Sequence, residues 1–462
     1  MDQTRVGLLP LYIELYDQIA PKARPRIDRF VQEMAAALRR RRLDVKTGPV
    51  CRLQREFKAA VDGFERTRVD ALVTLHLAYS PSLESARVLA KTDLPIIVLD
   101  TTPTFDYGPG QDPAELMYNH GIHGVQDMCN LLIRNGKPFE IAAGHWRKSD
   151  VLDRVVALAR SARVAGAMRR SRVGIIGRPF KGMGDFAVLP AVMKRTIGLE
   201  TVACRPGELR GLIRGVSGKE VAAEIKADRR RFAMGKASAE AMRRSETLCV
   251  AVRRWIEKER LTAFTVNFLD ATRASGLPTV PFLAASKAMA DGIGYAGEGD
   301  ILTAGLVGAL ASVYPDTSFT EMFCPDWKGN RIFLSHMGEV NPNLVAGKAV
   351  LAEMDYTFSD THNPIRALGC LRGGPAAFVN LAPLPGGRFR LIVAPVAMQK
   401  IGGRDRMKDS IHGWFRPAMP VADFLEQYSR LGGTHHAALV YGHVAPELAA
   451  FGKWMDWDVA VV

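Results

Sequence analysis

The chain has 462 residues, 47% hydrophobic and 24% charged, which is enough for two or three domains with cores of their own. No window of about 18 apolar residues occurs, so no membrane-spanning helix is expected, and the start M-D-Q-T-R-V-G-L-L-P lacks the basic and apolar regions of a secretory leader. Lys and Arg outnumber Asp and Glu by 62 to 48, and the six scattered cysteines form no C-x-x-C, which argues against a zinc ribbon or thioredoxin-like motif and fits reduced thiols in a cytoplasmic protein.

The first third alternates strand and helix. Arg5–Leu9 reads as a strand, and Ile27, Phe30, Val31, Met34 and Leu38 recur at helical spacing. Ala71–Leu77 is a second buried strand, followed by a helix over Ser82–Lys91 and a strand over Ile96–Leu99. A helix near Val125–Arg134, a strand at Phe139–Ala142 and a helix over Ser149–Ala167 complete the series. This order predicts a parallel sheet covered on both faces.

The basic stretch Met168–Arg172 marks a boundary, and the pattern restarts with strands at Val173–Ile176, Thr201–Cys204 and Ala263–Phe268. Long helices are expected over Lys219–Phe232 and Ser238–Glu259. The glycine-rich stretch G-Y-A-G-E-G-D (294–300) reads as a tight turn opening a helix over Ile301–Tyr314. Its two acids have different tasks: Asp300 is placed to cap the helix, and Glu298 projects from the turn.

After Asp316 short runs rich in β-branched and aromatic residues, at 331–334, 349–356, 376–381 and 389–396, read as an antiparallel sheet or barrel. Helices near Pro420–Arg430 and Pro446–Lys453 close the chain. The expected fold is therefore α/β: two parallel-sheet domains, 1–168 and 169–315, then a mainly antiparallel β-barrel domain with helices, 316–462.

Arginine runs at 39–42, 169–172 and 229–231 each end a helical pattern, where cations favour the helix C-terminus. No aromatic interleaving accompanies them, so nucleic-acid binding is not expected.

Four stretches carry candidate ligands: the turn with Glu298, T-S-F-T-E-M-F with Glu321, L-S-H-M-G-E-V with His336, and G-G-T-H-H-A with His435 and His436. Taken singly, a glutamate in a loop is more often solvated, and a buried histidine more often satisfied by a carbonyl. Taken together, two carboxylates with one or two neutral imidazoles suit manganese, with cobalt, iron and zinc as competitors. Gly177–Phe186 follows a strand at a carboxyl edge, where α/β sheets bind ligands, but lacks the nucleotide-loop pattern. Met183 is a candidate substrate contact there, and His76 ends a strand that could line a cleft.

In this order the four stretches resemble the L-arabinose isomerase and L-fucose isomerase superfamily, the arabinose branch more closely. The resemblance is most specific over Ala263–Thr303 and continues through T-S-F-T-E, S-H-M-G-E-V-N-P, G-G-P-A (373–376), G-R-F-R-L-I-V (387–393) and G-G-T-H-H-A. Earlier, only Y-N-H-G-I-H-G (118–124) and the strand–helix alternation match. Two departures stand out: Ile301-Leu302 where the arabinose enzymes carry Trp-Lys, and Val125-Gln-Asp where Asp-Arg-Glu is usual.

The resemblance implies Glu298, Glu321, His336 and His436 as metal ligands, with Glu298 and Glu321 also acid and base. It implies His435 beside the ligands, Phe268 lining a sugar pocket, and His123 reaching a neighbouring subunit's site in a trimer or hexamer with shared active sites. The activity it implies is aldose–ketose isomerisation of a small sugar, a pentose or deoxyhexose, through an enediolate. A related isomerase or epimerase on another sugar, and a sugar-binding protein without catalysis, are the alternatives.

Overall fold

In its two parallel sheets the chain alternates strands with helices, and its last third runs mainly strand to strand. A computed structural model describes residues 3–403 and 405–462, which divide into two compact units, Met1–Arg163 and Val164–Val462. In the first unit β1 (Arg5–Leu11), β2 (Asp44–Thr47), β3 (Ala71–His76), β4 (Ile96–Asp100) and β5 (Phe139–Ala143) form one parallel sheet in the order β2-β1-β3-β4-β5. Every residue of β3 is buried, as a strand covered on both faces requires. The edge strand β2 and the helix Gln54–Arg66 add to the elements expected from periodicity.

In the second unit β6 (Arg172–Ile176), β7 (Glu200–Ala203), β9 (Ala263–Val266) and β10 (Gly294–Gly297) form a parallel sheet in the order β10-β9-β6-β7. Between β7 and β9 in sequence, the short β8 (Ala233–Met234) pairs outside this sheet. The stretch expected as a turn is thus mostly strand, and only Glu298-Gly299 turns. A Cβ on Gly294 would lie 2.3 Å from the Gly308 backbone nitrogen. Glycine there lets the helix Ile301–Ala311, buried at every residue, lie directly against the strand.

The remaining strands are β11 (Thr317–Asp326), β12 (Arg331–His336), β13 (Val350–Glu353), β14 (Ile365–Cys370), β15 (Gly374–Leu384), β16 (Arg388–Met398), β17 (Ile411–Pro417), β18 (His436–Tyr441) and β19 (Asp458–Val461). Six of them close a barrel, β11-β12-β17-β16-β15-β18 and back to β11, with every pairing antiparallel. The expected fold class is borne out: two parallel-sheet α/β layers and an antiparallel barrel with helices.

A buried ion cluster braces the helix Phe282–Ala290 in this unit. Lys287 Nζ lies 3.0 Å from each of Glu224, Asp228 and Glu246. The same helix supports the barrel: Ser286 Oγ accepts from Val340 N (3.2 Å), and the Met289 sulfur lies 3.5 Å from Phe319 N.

Candidate metal centre

The antiparallel register brings two of the expected ligands together. Glu321 of β11 sits directly opposite His436, the first residue of β18, and opposite Ser335 of β12 on its other side. Directly opposed residues share a sheet face, so Glu321 and His436 project to the same side. His336 is the last residue of β12, one step beyond Ser335.

Glu298 enters from the parallel sheet. It follows β10 with φ 64°, in the left-handed region, and its carbonyl accepts from Phe180 N at 2.9 Å. Gly299 follows with φ 80°, and a Cβ there would lie 2.6 Å from the Pro179 Cα. The turn therefore needs its glycine and is clamped to the 177–186 loop. Gly297 is equally constrained, since a Cβ on it would lie 2.9 Å from His336 Cε1. Asp300 caps the helix as expected, accepting from Thr303 N at 2.9 Å.

Each of three imidazoles is held through Nδ1 by a carboxylate. His436 Nδ1 lies 3.0 Å from Asp300 Oδ2, His336 Nδ1 2.6 Å from Glu339 Oε2, and His435 Nδ1 2.6 Å from Asp185 Oδ2. A carboxylate accepts, so Nδ1 donates, and in the neutral ring Nε2 keeps its lone pair. Glu339 is itself held by Tyr295 Oη (2.5 Å) and Gly338 N (2.9 Å). Phe186 stacks on His436 with centroids 5.2 Å apart and rings 8° from parallel. Phe319 meets His336 and His436 edge-on at 4.7 and 4.9 Å.

The atoms left facing inward form two overlapping sets, Glu298–His435–His436 and Glu321–His336–His436, each with donor atoms within 4.8 Å of one another. Glu298 Oε2 and His436 Nε2 are 3.5 Å apart, and both are buried without a hydrogen-bond partner among the described residues. Buried polar atoms without partners are costly and point to a group that completes them. A divalent cation fits the donor chemistry of carboxylate oxygens and imidazole nitrogens.

Electrostatics separate the two glutamates. Burial pushes both carboxyls up, and Glu321 stays above the usual range. For Glu298 the His435 contact and the nearby imidazoles overcome burial and hold it below that range. Burial pulls His336 down, but the Glu339 carboxylate wins and raises it. His435, opposed by burial, is lifted to about 9 by Glu298 and Asp185.

The other expected contacts divide. His435 Nε2 reaches Glu298 Oε2 (3.6 Å) and Glu321 Oε1 (4.0 Å). Phe268, past the end of β9, lines a narrow cavity with Phe282 and Met337 beside Glu298 and His336. Met183 lies on the 177–186 loop, but among the described residues the loop's polar and ring contacts to the histidines come from Asp185 and Phe186. His123 belongs to the first unit, in the first turn of the helix Ile122–Arg134, with Tyr79 and His120 rings 6.4 and 5.6 Å away. His76, also in that unit, is buried, with Nδ1 2.9 Å from Ser80 Oγ.

Sequence reasoning missed Asp185, Phe186, Phe319 and Glu339. Only Glu339 carried a local signal, three residues after His336 and beside a glycine.

Two family models match within the second unit: the L-arabinose isomerase central domain over residues 191–314 and the L-arabinose isomerase C-terminal domain over residues 316–458. Among individual proteins, the L-arabinose isomerase of Thermotoga maritima is 26% identical over 396 residues, 81% of this chain and 77% of the relative. L-arabinose isomerase 1 of Bacillus licheniformis is 25% identical, over 88% of this chain and 84% of its own length. The L-arabinose isomerase of Shouchella clausii is 24% identical, over 99% and 93%.

Proposed function

Because the chain belongs to the arabinose isomerase-like family, we propose that it is a metal-dependent aldose–ketose isomerase acting on a small sugar, a pentose or deoxyhexose resembling L-arabinose. The observation that carries the reading is the pair of donor sets, Glu298–His435–His436 and Glu321–His336–His436, that meet at His436, with Glu298 Oε2 and His436 Nε2 buried and, among the described residues, without a hydrogen-bond partner.

Those four side chains would hold the ion, manganese fitting best and cobalt, iron or zinc competing. When bound, the ion would supply Lewis acidity and offset the negative charge that develops on the sugar as its α-proton leaves. The two glutamates move the proton between C1 and C2, one accepting and the other donating. We assign Glu321 as base and Glu298 as acid, exchangeable with direction. In the metal-free protein Glu321 holds its proton more tightly, which favours the reverse in one direction, and in a reversible isomerisation the roles exchange with direction. His435, anchored to Asp185, faces both carboxylates and can hydrogen-bond a sugar hydroxyl. Phe268, Phe282 and Met337 form an apolar wall that limits water. Met183 remains a candidate sugar contact on its loop.

The domain boundaries near 168 and 315, a cytoplasmic location and a homo-oligomer, trimer or hexamer, with His123 serving a neighbouring subunit's site, complete the reading. Ile301 and Leu302, both buried in the first turn of their helix, carry no polar group toward a sugar, so a pentose other than L-arabinose, or a deoxy sugar, is within the proposal.

The test is a panel of aldoses and ketoses incubated in D2O with Mn2+ and followed by NMR. The reading expects interconversion of at least one pair with solvent deuterium entering the product. No conversion of any sugar, or conversion unaffected by chelation, overturns it.

A further inference from the structure

The arginine run at the end of the helix Gly218–Arg231 plays no part in the candidate centre. Near it lies a cleft of about 650 Å³ lined by this helix, the segment around β8 and the helix Ala239–Glu259. Its walls are apolar, with Val221, Ile225, Met234 and Met242, and two guanidinium groups join them, Arg229 and Arg243. Met234 is 43% exposed, so the apolar wall opens to solvent.

The two arginines differ from their neighbours. Arg244, Arg253 and Arg254 of the same region each hold a carboxylate, on Glu240, Glu224 and Glu220. Glu224 and Asp228, the acids nearest in sequence to Arg229, are committed to Lys287. Among the described residues no ion pair involves Arg229 or Arg243. The carbonyls at the helix C-terminus favour a cation at Arg229 but do not neutralise it. The cleft thus combines apolar area, uncompensated positive charge from two elements, and a volume in the small-molecule range. Guanidinium groups match carboxylate, phosphate and sulfonate oxygens, and the methionines can conform to an irregular apolar body.

We infer that this cleft binds a small organic anion: its carboxylate, phosphate or sulfonate head on Arg229 and Arg243, its apolar body against Val221, Ile225, Met234 and Met242. The site is separate from the candidate metal centre and independent of the isomerase reading.

The test uses the full-length protein and 8-anilinonaphthalene-1-sulfonate as probe, followed by fluorescence, with decanoate as competitor and N-phenyl-1-naphthylamine as the uncharged control. The expected result is one saturable site per chain, displaced by decanoate. The double variant R229Q/R243Q weakens the anion at least tenfold and leaves the uncharged probe unchanged. A222W, which fills the cleft, removes binding of both. Circular dichroism checks folding, and because both arginines are exposed, the double variant decides if A222W does not fold. Absence of saturable binding in the wild type, equal anion affinity in the double variant, or equal loss of the uncharged probe overturns the inference.

Discussion

Glu298 Oε2 and His436 Nε2 face each other at 3.5 Å, one after the last strand of a parallel sheet and the other at the start of a barrel strand, and among the described residues neither has a hydrogen-bond partner. The backbone on both sides is committed to this meeting. Glu298 is held in a left-handed conformation beside a glycine that has no room for a side chain, and His436 is held by Asp300, which also caps the next helix. An arrangement this costly persists when the surrounding structure over-determines it.

Replacing either glutamate by glutamine removes a proton carrier while keeping shape. E298Q and E321Q are each expected to lower isomerase turnover by about 10²–10⁴-fold or more, with melting temperature close to wild type. Steady-state kinetics beside a thermal melt checks this, and full activity in either variant defeats the assignment.

Asp300 has two separable tasks. D300A loses the helix cap, about 0.5–2 kcal/mol, together with the His436 anchor. D300N can still accept from Thr303 N, so it is expected to keep most of the stability yet bind Mn2+ about 10–100-fold more weakly, as loss of a carboxylate behind a ligand histidine does. Equal metal affinity in D300N and wild type would show that Asp300 acts only on the helix.

Metal affinity is expected to rise with pH. Ligands bind deprotonated, and in the metal-free protein His336 lies above its ordinary value and Glu321 above the carboxylate range. Protons must therefore leave as the ion enters. Manganese titrations at pH 6 and pH 8 should give tighter binding at pH 8 with proton release, and a pH-independent affinity contradicts the electrostatics.

The Lys287 cluster predicts a contrast in stability. K287M leaves Asp228 and Glu246 without their cation, while Glu224 keeps Arg253, and is expected to cost about 3–5 kcal/mol. Burial, followed by the neighbouring Asp228, lifts the Glu246 carboxyl to about 8. The folded state then keeps a proton that the unfolded chain has lost, so this group's contribution to stability falls as pH rises from 4.5 toward 8. E246Q carries no such proton, and its melting temperature should gain on wild type across that window. A constant gap in thermal melts rules this out.

Much of this was legible in the sequence because burial leaves a periodic trace. The strands at Ala71 and Ile96 read as continuous apolar runs, and the ligand stretches stood out by their acids and histidines, in three of the four close to glycine. The two strands that carry Glu321 and His436 were harder. T-S-F-T-E-M-F-C-P-D and H-A-A-L-V-Y lack clean alternation, because β11 passes from a buried half to a more open half at Glu321 and β18 is a buried run that opens on His436. G-Y-A-G looked like a turn, since its glycines answer to a helix and an imidazole packed against them, not to a bend. Asp185 and His435 are 250 residues apart, and no local pattern announces such a pair.

The most direct measurement is a Mn2+ titration of the metal-stripped protein, read by electron paramagnetic resonance, in wild type and in H336Q, H436Q and E298Q. The account predicts one tight site per chain in wild type and loss of that site in each variant whose circular dichroism is unchanged. No tight site in wild type, or an undiminished one in folded H436Q and E298Q, contradicts it.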